Sequence, residues 1–371
     1  MMRHKTIIQV ILLTLSISCL IGCKKKAINP EDDIPLFKSF IERNIDKVAD
    51  DPYISSTVKP DDEIYDLMLM LQRGDWSQTT WDEMDSLMNK GVENAKIIYA
   101  RTKIDEIYKR SEATTILTEL MRKGNPYATY WLSNKSNLCL SYLSSEYFGN
   151  KVAKELGLDT SYENKYCTEE IYQKSVEGFK KLAAEGDLRA QYFLLKDQGL
   201  DKSVEKREEY IKEIIRFAES HYYKPLMDYL HTLKKPSRRG LEFRTEEFRE
   251  LGLDLYRVAS NNYYTPAMSI LMAYETDNHT LYKRMKQSGG RYYFWAMAID
   301  RSDELTEKEK YCHAVLFEKM YKDTDFYGFD SDWPKKGDYD ESICNIDKEI
   351  SKMKPMIYID YFTRIDNWGQ G

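Results

Sequence analysis

The stretch EGFKKLAAEGDLRAQYFLLKDQG, residues Glu177–Gly199, decides the fold because it joins the end of one helix to the start of another. Gly186 lies where a helix C-terminus favours the left-handed conformation, which glycine adopts at little cost. Ala190 is small at a position where the two helices of a hairpin must approach closely. The stretch therefore predicts a helical hairpin with its turn at Gly186.

Four further segments share this order of helix end, turn and second helix: Leu87–Ala95, Leu120–Ala128, Ala218–Leu226 and Ala259–Ala267. With Leu182–Ala190 included, the last residues of the five segments are separated by 33, 62, 36 and 41 positions. All but the second interval fit a repeat of two helices. The long interval predicts one repeat plus an insertion of about 26 residues, at about 144–168.

The rest of the chain also favours helices. Residues 206–218 and 245–259 place apolar side chains at helical spacing on one face, and alternating β-branched runs are nearly absent. We therefore predict an all-α fold, with an α-solenoid of irregular helix-turn-helix repeats over 61–300. Repeat arrays need atypical terminal units, so we expect 301–371 to form a helical C-terminal cap.

The opening stretch resembles one Sel1-like repeat, a family related to the tetratricopeptide repeats. The residues that match its pattern are Phe179, Leu182, Ala183, Gly186, Ala190, Tyr192, Leu195 and Gly199. The other segments match more weakly, with Tyr222 and Tyr263 in place of the turn glycine, and together the units span roughly 75–285. The resemblance implies an α-solenoid whose concave face binds other proteins.

The N-terminus has the features of an export signal. A short positive stretch precedes the apolar residues Ile7–Ile21, which are fewer than the roughly twenty that usually span a membrane. Leu20–Cys23, LIGC, resembles the lipobox of bacterial lipoprotein precursors. The resemblance implies that residues 1–22 are a signal peptide and that the thiol of Cys23 carries a lipid.

The same residues predict a location in the bacterial cell envelope. Lys24, and not Asp, follows Cys23, which by resemblance to enterobacterial sorting favours the outer membrane and a body that faces the periplasm. Several acyl chains would give a stable tether, and residues 23–60 would be the lipidated N-terminus and linker. The alternatives are an ordinary secretory signal and an uncleaved anchor.

The charge balance argues against a nucleic acid partner. The chain has 55 basic and 61 acidic residues, a net charge of −6, and loss of Arg3 and Lys5 with the signal leaves −8. Nucleic acid binding needs a basic stripe. Charged residues make up 31% of the chain and its mean hydropathy is −0.63. We expect membrane contact through the lipid alone.

Four cysteines remain when the signal and Cys23 are set aside: Cys139, Cys167, Cys312 and Cys344. An even number in an oxidising compartment favours disulfides, and four cysteines allow three connectivities. We favour Cys139–Cys167, which would pin the insertion, and Cys312–Cys344, which would join two helices of the cap. The alternative is four buried free thiols.

The sequence contains no motif for catalysis or cofactor binding. HExxH, GxSxG, a Walker loop and GxGxxG are all missing from it. We therefore expect no enzymatic activity, no catalytic residue, no cofactor and no metal. His221 lies at a predicted turn, where we expect a surface or capping residue, and the neighbours Cys312 and His313 carry no sign of a catalytic pair.

The acidic segment Lys322–Glu341 is the best candidate for a calcium loop. Asp323 begins a match to the EF-hand pattern, but Tyr327 and Pro334 stand at positions where ligands belong. A looser site would use the remaining carboxylates, Asp330, Asp332, Asp338 or Asp340. The alternative is a solvated loop between two helices.

Tyrosine is abundant, with 29 residues, and its doublets suggest a contact surface. Rigid amphipathic rings are good interface anchors, so the candidate partner-binding residues are Tyr222, Tyr223, Tyr263, Tyr264 and Tyr292. The alternative is that one ring of each doublet packs neighbouring repeats together while the other lies on the surface.

These observations favour a membrane-anchored protein–protein interaction scaffold of the bacterial envelope. Two versions differ in their partner: an immunity protein would neutralise a secreted toxin, and an adaptor would serve envelope assembly or regulation. A glycan- or peptide-binding module that uses the tyrosines and an enzyme that acts on peptidoglycan are the alternatives.

Overall fold

The computed structural model describes residues 28–144, 165–237 and 240–359. Over these ranges the chain is mostly helical, as predicted. Helices of the first half are α1 (Ile34–Asn44), α2 (Tyr65–Gln72), α3 (Gln78–Asn89), α4 (Glu93–Lys103), α5 (Arg110–Arg122), α6 (Pro126–Trp131), α7 (Asn137–Tyr142), α8 (Glu169–Ala184) and α9 (Leu188–Asp197). The predicted signal, Cys23 and most of the predicted insertion lie outside the described residues.

The described residues of the second half form further helices and one two-stranded sheet. The helices are α10 (Arg207–Glu219), α11 (Lys224–Thr232), α12 (Glu246–Asn261), α13 (Thr265–Met272), α14 (His279–Gln287), α15 (Arg291–Asp300), α16 (Glu307–Tyr321) and α17 (Ile346–Ser351). Short 3-10 helices lie at Pro30–Asp33, Leu200–Lys202, Ser302–Glu304 and Glu341–Cys344. Within the described ranges, no helix is long and apolar enough to cross a membrane.

The structure adds one β-hairpin that the sequence reading missed. Strands β1 (Lys234–Ser237) and β2 (Gly240–Phe243) pair antiparallel, with Lys234 opposite Phe243 and Ser237 opposite Gly240. The strands are short and contain Pro236, so their pattern is too weak to identify them as strands. The prediction of an entirely helical repeat region over 61–300 is therefore wrong at residues 234–237 and 240–243.

The glycine turns between helices have the predicted conformation. Gly91, Gly124 and Gly186 have φ angles of 92°, 88° and 99°. After Gly186 the amide of Asp187 donates to the carbonyl of Leu182 at 3.0 Å, which satisfies an acceptor that the helix end would leave free. Gly289, with φ 62°, makes an equivalent turn between α14 and α15 that the five predicted segments did not include.

In two turns the left-handed residue is not glycine. For one of these turns, the residue predicted to replace glycine lies one position after the residue that has this conformation. Tyr263 has φ 59° and replaces the turn glycine as predicted. In the turn between α10 and α11 the left-handed residue is His221, with φ 59°, and not Tyr222. The amide of Tyr222 instead donates to the carbonyl of Phe217 at 3.0 Å, which closes the helix end.

The more extensive helix contacts join neighbours along the chain, with α1 as the exception. Helix α4 contacts α3 and α5, α6 contacts α8, and α12 contacts α13, whereas α1 packs on both α10 and α12. Phe37 and Phe40 of α1 are buried in that contact. The prediction of a linker over 23–60 is therefore wrong for residues 30–44, which form a 3-10 helix and α1 and pack on the helical body.

Both favoured cysteine pairs are at disulfide distance. Cys139 in α7 is bonded to Cys167, which precedes α8, and Cys312 in α16 is bonded to Cys344, at the end of a 3-10 helix. The first bond closes the loop that contains the predicted insertion. The second holds the segment after α16 against that helix.

His313 is buried in an aromatic cluster of the C-terminal region. Its ring lies 4.9 Å from the ring of Phe294, 5.3 Å from Phe326 and 5.6 Å from Trp333. Its Nε2 lies 2.9 Å from the carbonyl oxygen of Phe294, so the neutral ring donates there. Burial lowers the pKa of His313 to about 4, because the apolar site disfavours the charged ring.

This pKa predicts a loss of stability in mild acid. The unfolded chain binds the proton at a pKa of about 6.5, so lowering the pH from there toward the folded pKa favours unfolding. Between pH 7 and pH 4, His313 should remove about 3 kcal/mol from the free energy of unfolding. Urea unfolding across this range should show a smaller loss for His313→Gln, which keeps a donor but cannot titrate. An equal loss of stability in the original chain and in His313→Gln would show that His313 does not cause the acid sensitivity.

Candidate functional site

The predicted tyrosine surface is mostly inside the protein. Tyr222, Tyr223 and Tyr264 have only 7%, 1% and 4% of their surface exposed. The rings of Tyr223 and Tyr264 lie 5.4 Å apart, so they pack the turns of two hairpins together. These three residues cannot be exposed partner anchors, since aromatic rings buried at these turns contribute to the core. Tyr263 and Tyr292 are half-buried.

Tyr292 instead lines a groove beside the β-hairpin. We call this cavity the hairpin groove; β1, β2, α12 and α13 form most of its wall, and its volume is about 1080 Å³. Its apolar lining includes Leu241, Phe243, Tyr256 and Tyr274. Binding sites for peptides and small molecules are concave and rich in aromatic rings, and this groove has both features.

A glycine in α12 allows the hairpin to pack against the helix. A Cβ atom on Gly252 would lie 2.4 Å from Cζ and 2.5 Å from Cε1 of Phe243. The Phe243 ring therefore lies directly on the helix backbone, 6.5 Å from the ring of Tyr256 and 6.4 Å from that of Tyr274. This close approach places β2 along the wall of the hairpin groove.

Lys234 is the most buried cation in the lining of the hairpin groove. Its Nζ lies 5.0 Å from the ring centre of Phe243 and 5.2 Å from that of Tyr256. Burial lowers the pKa of Lys234 because the ammonium has lost water, and no carboxylate of the described chain forms an ion pair with it. A partially desolvated cation gains from an anionic partner, so Lys234 favours a ligand with negative charge.

The other cations of the hairpin groove are fixed by local contacts. Arg244 donates from Nε to the carbonyl oxygen of Lys234 at 3.3 Å, which leaves the rest of its guanidinium available to a ligand. Arg249 lies 2.6 Å from Glu246 and its guanidinium carbon is 6.0 Å from the Tyr274 ring centre. The lining therefore combines aromatic rings with three cations and with two carboxylates, those of Glu242 and Glu246.

Two large apolar side chains of this groove remain open to solvent. Leu241 has 42% of its surface exposed and Tyr274 has 39%. Both line the hairpin groove together with the half-buried Phe243. Exposed apolar groups beside a cavity are typical of contact sites, whereas isolated ones are common on any surface. The hairpin groove is the strongest candidate site for that reason.

A second cavity, of about 800 Å³, lies in the C-terminal region. Its lining includes Lys336 and Glu318, which pair with each other, and Ser342 and Asn345. Cations and carboxylates are mixed in this lining, which also includes Lys319, Lys322, Lys348, Glu341 and Asp347. The lining has none of the aromatic rings of the hairpin groove, so this cavity is the weaker candidate.

The acidic segment does not assemble its carboxylates into one cluster. Asp332 pairs with Lys310, Asp338 accepts from the amide of Lys335 at 2.7 Å, and Asp340 accepts from the amide of Ser342 at 2.9 Å. Among the described residues no group of three potential metal ligands lies together. Asp338 and Asp340 therefore stabilise local turns, whereas Asp332 holds its loop against α16 through Lys310.

The histidines are likewise spread over separate environments. His279 contacts Arg301 through Nδ1 at 2.9 Å, His313 is in the aromatic cluster, and His231 lies at the hairpin groove. Burial lowers the pKa of His221, which is half-buried and is the left-handed residue at the end of α10, a position that agrees with the predicted capping role. None of these contacts joins a histidine to a cysteine or serine nucleophile.

Sequence reasoning missed the hairpin groove, although a signal for it exists. The segment KKPSRRGLEF, residues 234–243, has a polar turn between two short extended stretches, with Leu241 and Phe243 alternating after Gly240. The groove also needs Tyr256 and Tyr274, which follow in α12 and after α13. Only the fold brings these residues together.

Comparison of the chain with protein-family models, with curated proteins and with solved structures found no match.

Proposed function

We propose that this chain is a lipid-anchored interaction protein of the bacterial envelope that recognises a protein partner through the hairpin groove. The observation that carries the proposal is the half-buried ammonium of Lys234, which lies among aromatic rings and has no ion pair in the described chain, with Leu241 and Tyr274 exposed beside it. Interfaces are rich in such aromatic and cationic groups. The partner segment would therefore carry apolar side chains and at least one carboxylate.

The arrangement of the helices supports an α-solenoid of Sel1-like units as the scaffold. Consecutive helical hairpins contact their neighbours along the chain, and their turns use a left-handed residue at Gly91, Gly124, Gly186 and Tyr263. Repeats of this kind form extended surfaces for protein partners. The proposed lipid on Cys23 would place the scaffold at the membrane, because acylation supplies a stable anchor.

The test is recovery of a partner from native envelope and secreted fractions with the tagged full chain as bait. The double variant Leu241→Ser/Tyr274→Ala should weaken partner affinity by about 30-fold, the effect of losing one interface hot spot. Tyr108→Ala is the matched control, since Tyr108 is 96% exposed between α4 and α5, away from the groove. Equal losses in both variants would place the interface elsewhere.

Further variants of the same experiment separate charge, geometry and anchoring. Lys234→Gln should weaken binding about 10-fold if the ammonium meets a carboxylate. Gly252→Ala should displace the Phe243 ring and weaken binding without unfolding the protein.

Cys23→Ser should move the chain from the membrane to the soluble fraction while the purified protein still binds the partner.

The identity of the recovered protein distinguishes the versions of this function. One stoichiometric partner with toxic activity, held at high salt, supports an immunity protein. Several envelope components support an assembly or regulatory adaptor. The aromatic and cationic lining also favours a second candidate, a module that binds an acidic glycan or peptide, which direct titration of such ligands would detect.

A further inference from the structure

The chain after α17 runs back through the molecule as an extended segment, which we call the C-terminal strap (residues 353–359). Near its start, the amide of Lys354 donates a hydrogen bond of 2.6 Å to the carbonyl oxygen of Gln287, the last residue of α14. It then reaches Thr57, whose amide donates to the carbonyl oxygen of Ile357 at 2.7 Å. The strap therefore connects parts of the fold that are about 300 residues apart in sequence.

Gln72, the last residue of α2, binds the main chain of the strap with both ends of its amide. Its Nε2 donates to the carbonyl oxygen of Met356 at 2.9 Å, and its Oε1 accepts from the amide of Tyr358 at 2.8 Å. The paired groups are two residues apart, the spacing that an extended strand offers on one edge. One side chain thus recognises an extended peptide without reading its side chains.

Neighbouring side chains extend this main-chain recognition. Ser56 Oγ accepts from the amide of Ile357 at 2.8 Å, and Thr57 Oγ1 donates to the carbonyl oxygen of Ile357 at 3.0 Å and to that of Ile359 at 3.2 Å. The hydroxyl of Tyr65 donates to the carbonyl oxygen of Pro355. The strap has no regular secondary structure, so these groups satisfy its buried main chain.

The side chains of the strap enter three hydrophobic cores, and that of Met353, 8% exposed, packs with the C-terminal core of α15 and α16. Met356 is 1% exposed and packs with the core of α1 and α10 to α15, whereas Ile357 is 0% exposed and packs with the core of α2 to α9. The Tyr358 ring lies 6.4 Å from that of Tyr264. Successive side chains of an extended peptide point to opposite sides, so this channel fits a strand with two apolar residues in succession.

We propose that this channel is a binding site for an extended peptide and that the strap is its intramolecular ligand. The occupant that replaces the strap is a partner segment with two successive apolar residues followed by an aromatic one. Such a segment can form the same bonds to Ser56, Thr57 and Gln72, because these bonds involve only main-chain atoms. The inference does not depend on the hairpin groove, which lies on other elements.

Competition between the strap and a partner peptide sets the expected affinity. A tethered segment has an effective concentration in the millimolar range, so the intact protein should bind free peptide weakly. A change that removes the strap from the channel should reveal the affinity of the empty site. The partner would then bind as an added extended segment, held by main-chain hydrogen bonds and side-chain pockets.

The experiment uses the full chain with Ile357→Asp, since a carboxylate cannot remain in the apolar pocket without a partner. The probe is a fluorescein-labelled peptide, Met-Lys-Pro-Met-Ile-Tyr-Ile, which repeats residues 353–359. Fluorescence anisotropy should show at least about 10-fold tighter binding to Ile357→Asp than to the original chain. Gln72→Ala in the Ile357→Asp background should abolish that gain in affinity. A peptide that is N-methylated at Tyr should also bind more weakly, because it lacks the amide hydrogen that Gln72 accepts.

Circular dichroism must show that Ile357→Asp is folded, and a folded variant that does not bind the peptide overturns the proposal. If the variant unfolds, hydrogen exchange of the original chain decides. The amides of Ile357 and Tyr358 should then exchange at least about 10-fold faster than the core amides of α10, through local opening of the strap. If all these amides exchange only through global unfolding, the proposal is overturned, because the strap would then not leave its channel while the rest of the protein stays folded.

Discussion

Replacing Arg207 with Met should lower the free energy of unfolding by about 3–5 kcal/mol, the usual cost of leaving a buried charge without its partner. Arg207 Nε lies 3.0 and 3.1 Å from the two carboxylate oxygens of Asp33, and Nη2 also contacts that carboxylate. The side chain of Asp33 is 0% exposed and that of Arg207 14%. Tyr229 donates to the same carboxylate at 3.2 Å. Urea unfolding at neutral pH measures the loss.

The matched control is an exposed ion pair on the same helix. Glu208 and Lys212 are 64% and 69% exposed, so Glu208→Gln should change stability by less than about 1 kcal/mol. The double variant Asp33→Leu/Arg207→Met should recover much of the loss, because no charge is left unpaired. A single Arg207→Met variant as stable as the Glu208→Gln chain would show that the pair does not hold the N-terminal segment on α10.

The second large effect is expected from the Cys139–Cys167 bond. Its cysteines are 28 residues apart, and closing a loop of this size stabilises the folded state by about 3–4 kcal/mol, mainly by restricting the unfolded chain. Cys139→Ala/Cys167→Ala should lose this amount in urea unfolding under oxidising conditions. Alanine lacks the sulfur atom that is buried at Cys139, so part of the loss should come from packing.

A reductant distinguishes the loss of the bond from other effects of the substitutions. The Cys312–Cys344 bond encloses a similar interval of 32 residues, so its double Ala variant should lose a comparable amount. With all four cysteines replaced, unfolding should no longer depend on dithiothreitol. A chain that retains all four cysteines but loses no stability in dithiothreitol would contradict both bonds.

The two proposed sites are of different kinds, and together they would give the protein two ways to hold a partner. The hairpin groove offers charge and aromatic surface at the outside of the fold, through Lys234 and Tyr274. The channel offers main-chain hydrogen bonds between two cores, through Gln72. A partner that used both would gain affinity from linked binding, provided that one chain can reach both sites.

The sequence by itself determined the features that depend on neighbours along the chain. Helical spacing predicted the mostly helical fold, and Gly186 with Ala190 predicted a hairpin, because a helix end and its turn involve only a few consecutive residues. The favoured cysteine pairs agree with the structure for a related reason, since each pair joins residues of one structural neighbourhood.

Tertiary structure alone decided which residues are buried and which meet. Tyr222, Tyr223 and Tyr264 are inside because neighbouring hairpins cover them, and a doublet in the sequence looks the same in either place. Arg207 meets Asp33 across 174 residues, and Gln72 meets Tyr358 across 286. Contacts over such intervals depend on how all the intervening helices pack, and no local period in the sequence encodes that arrangement.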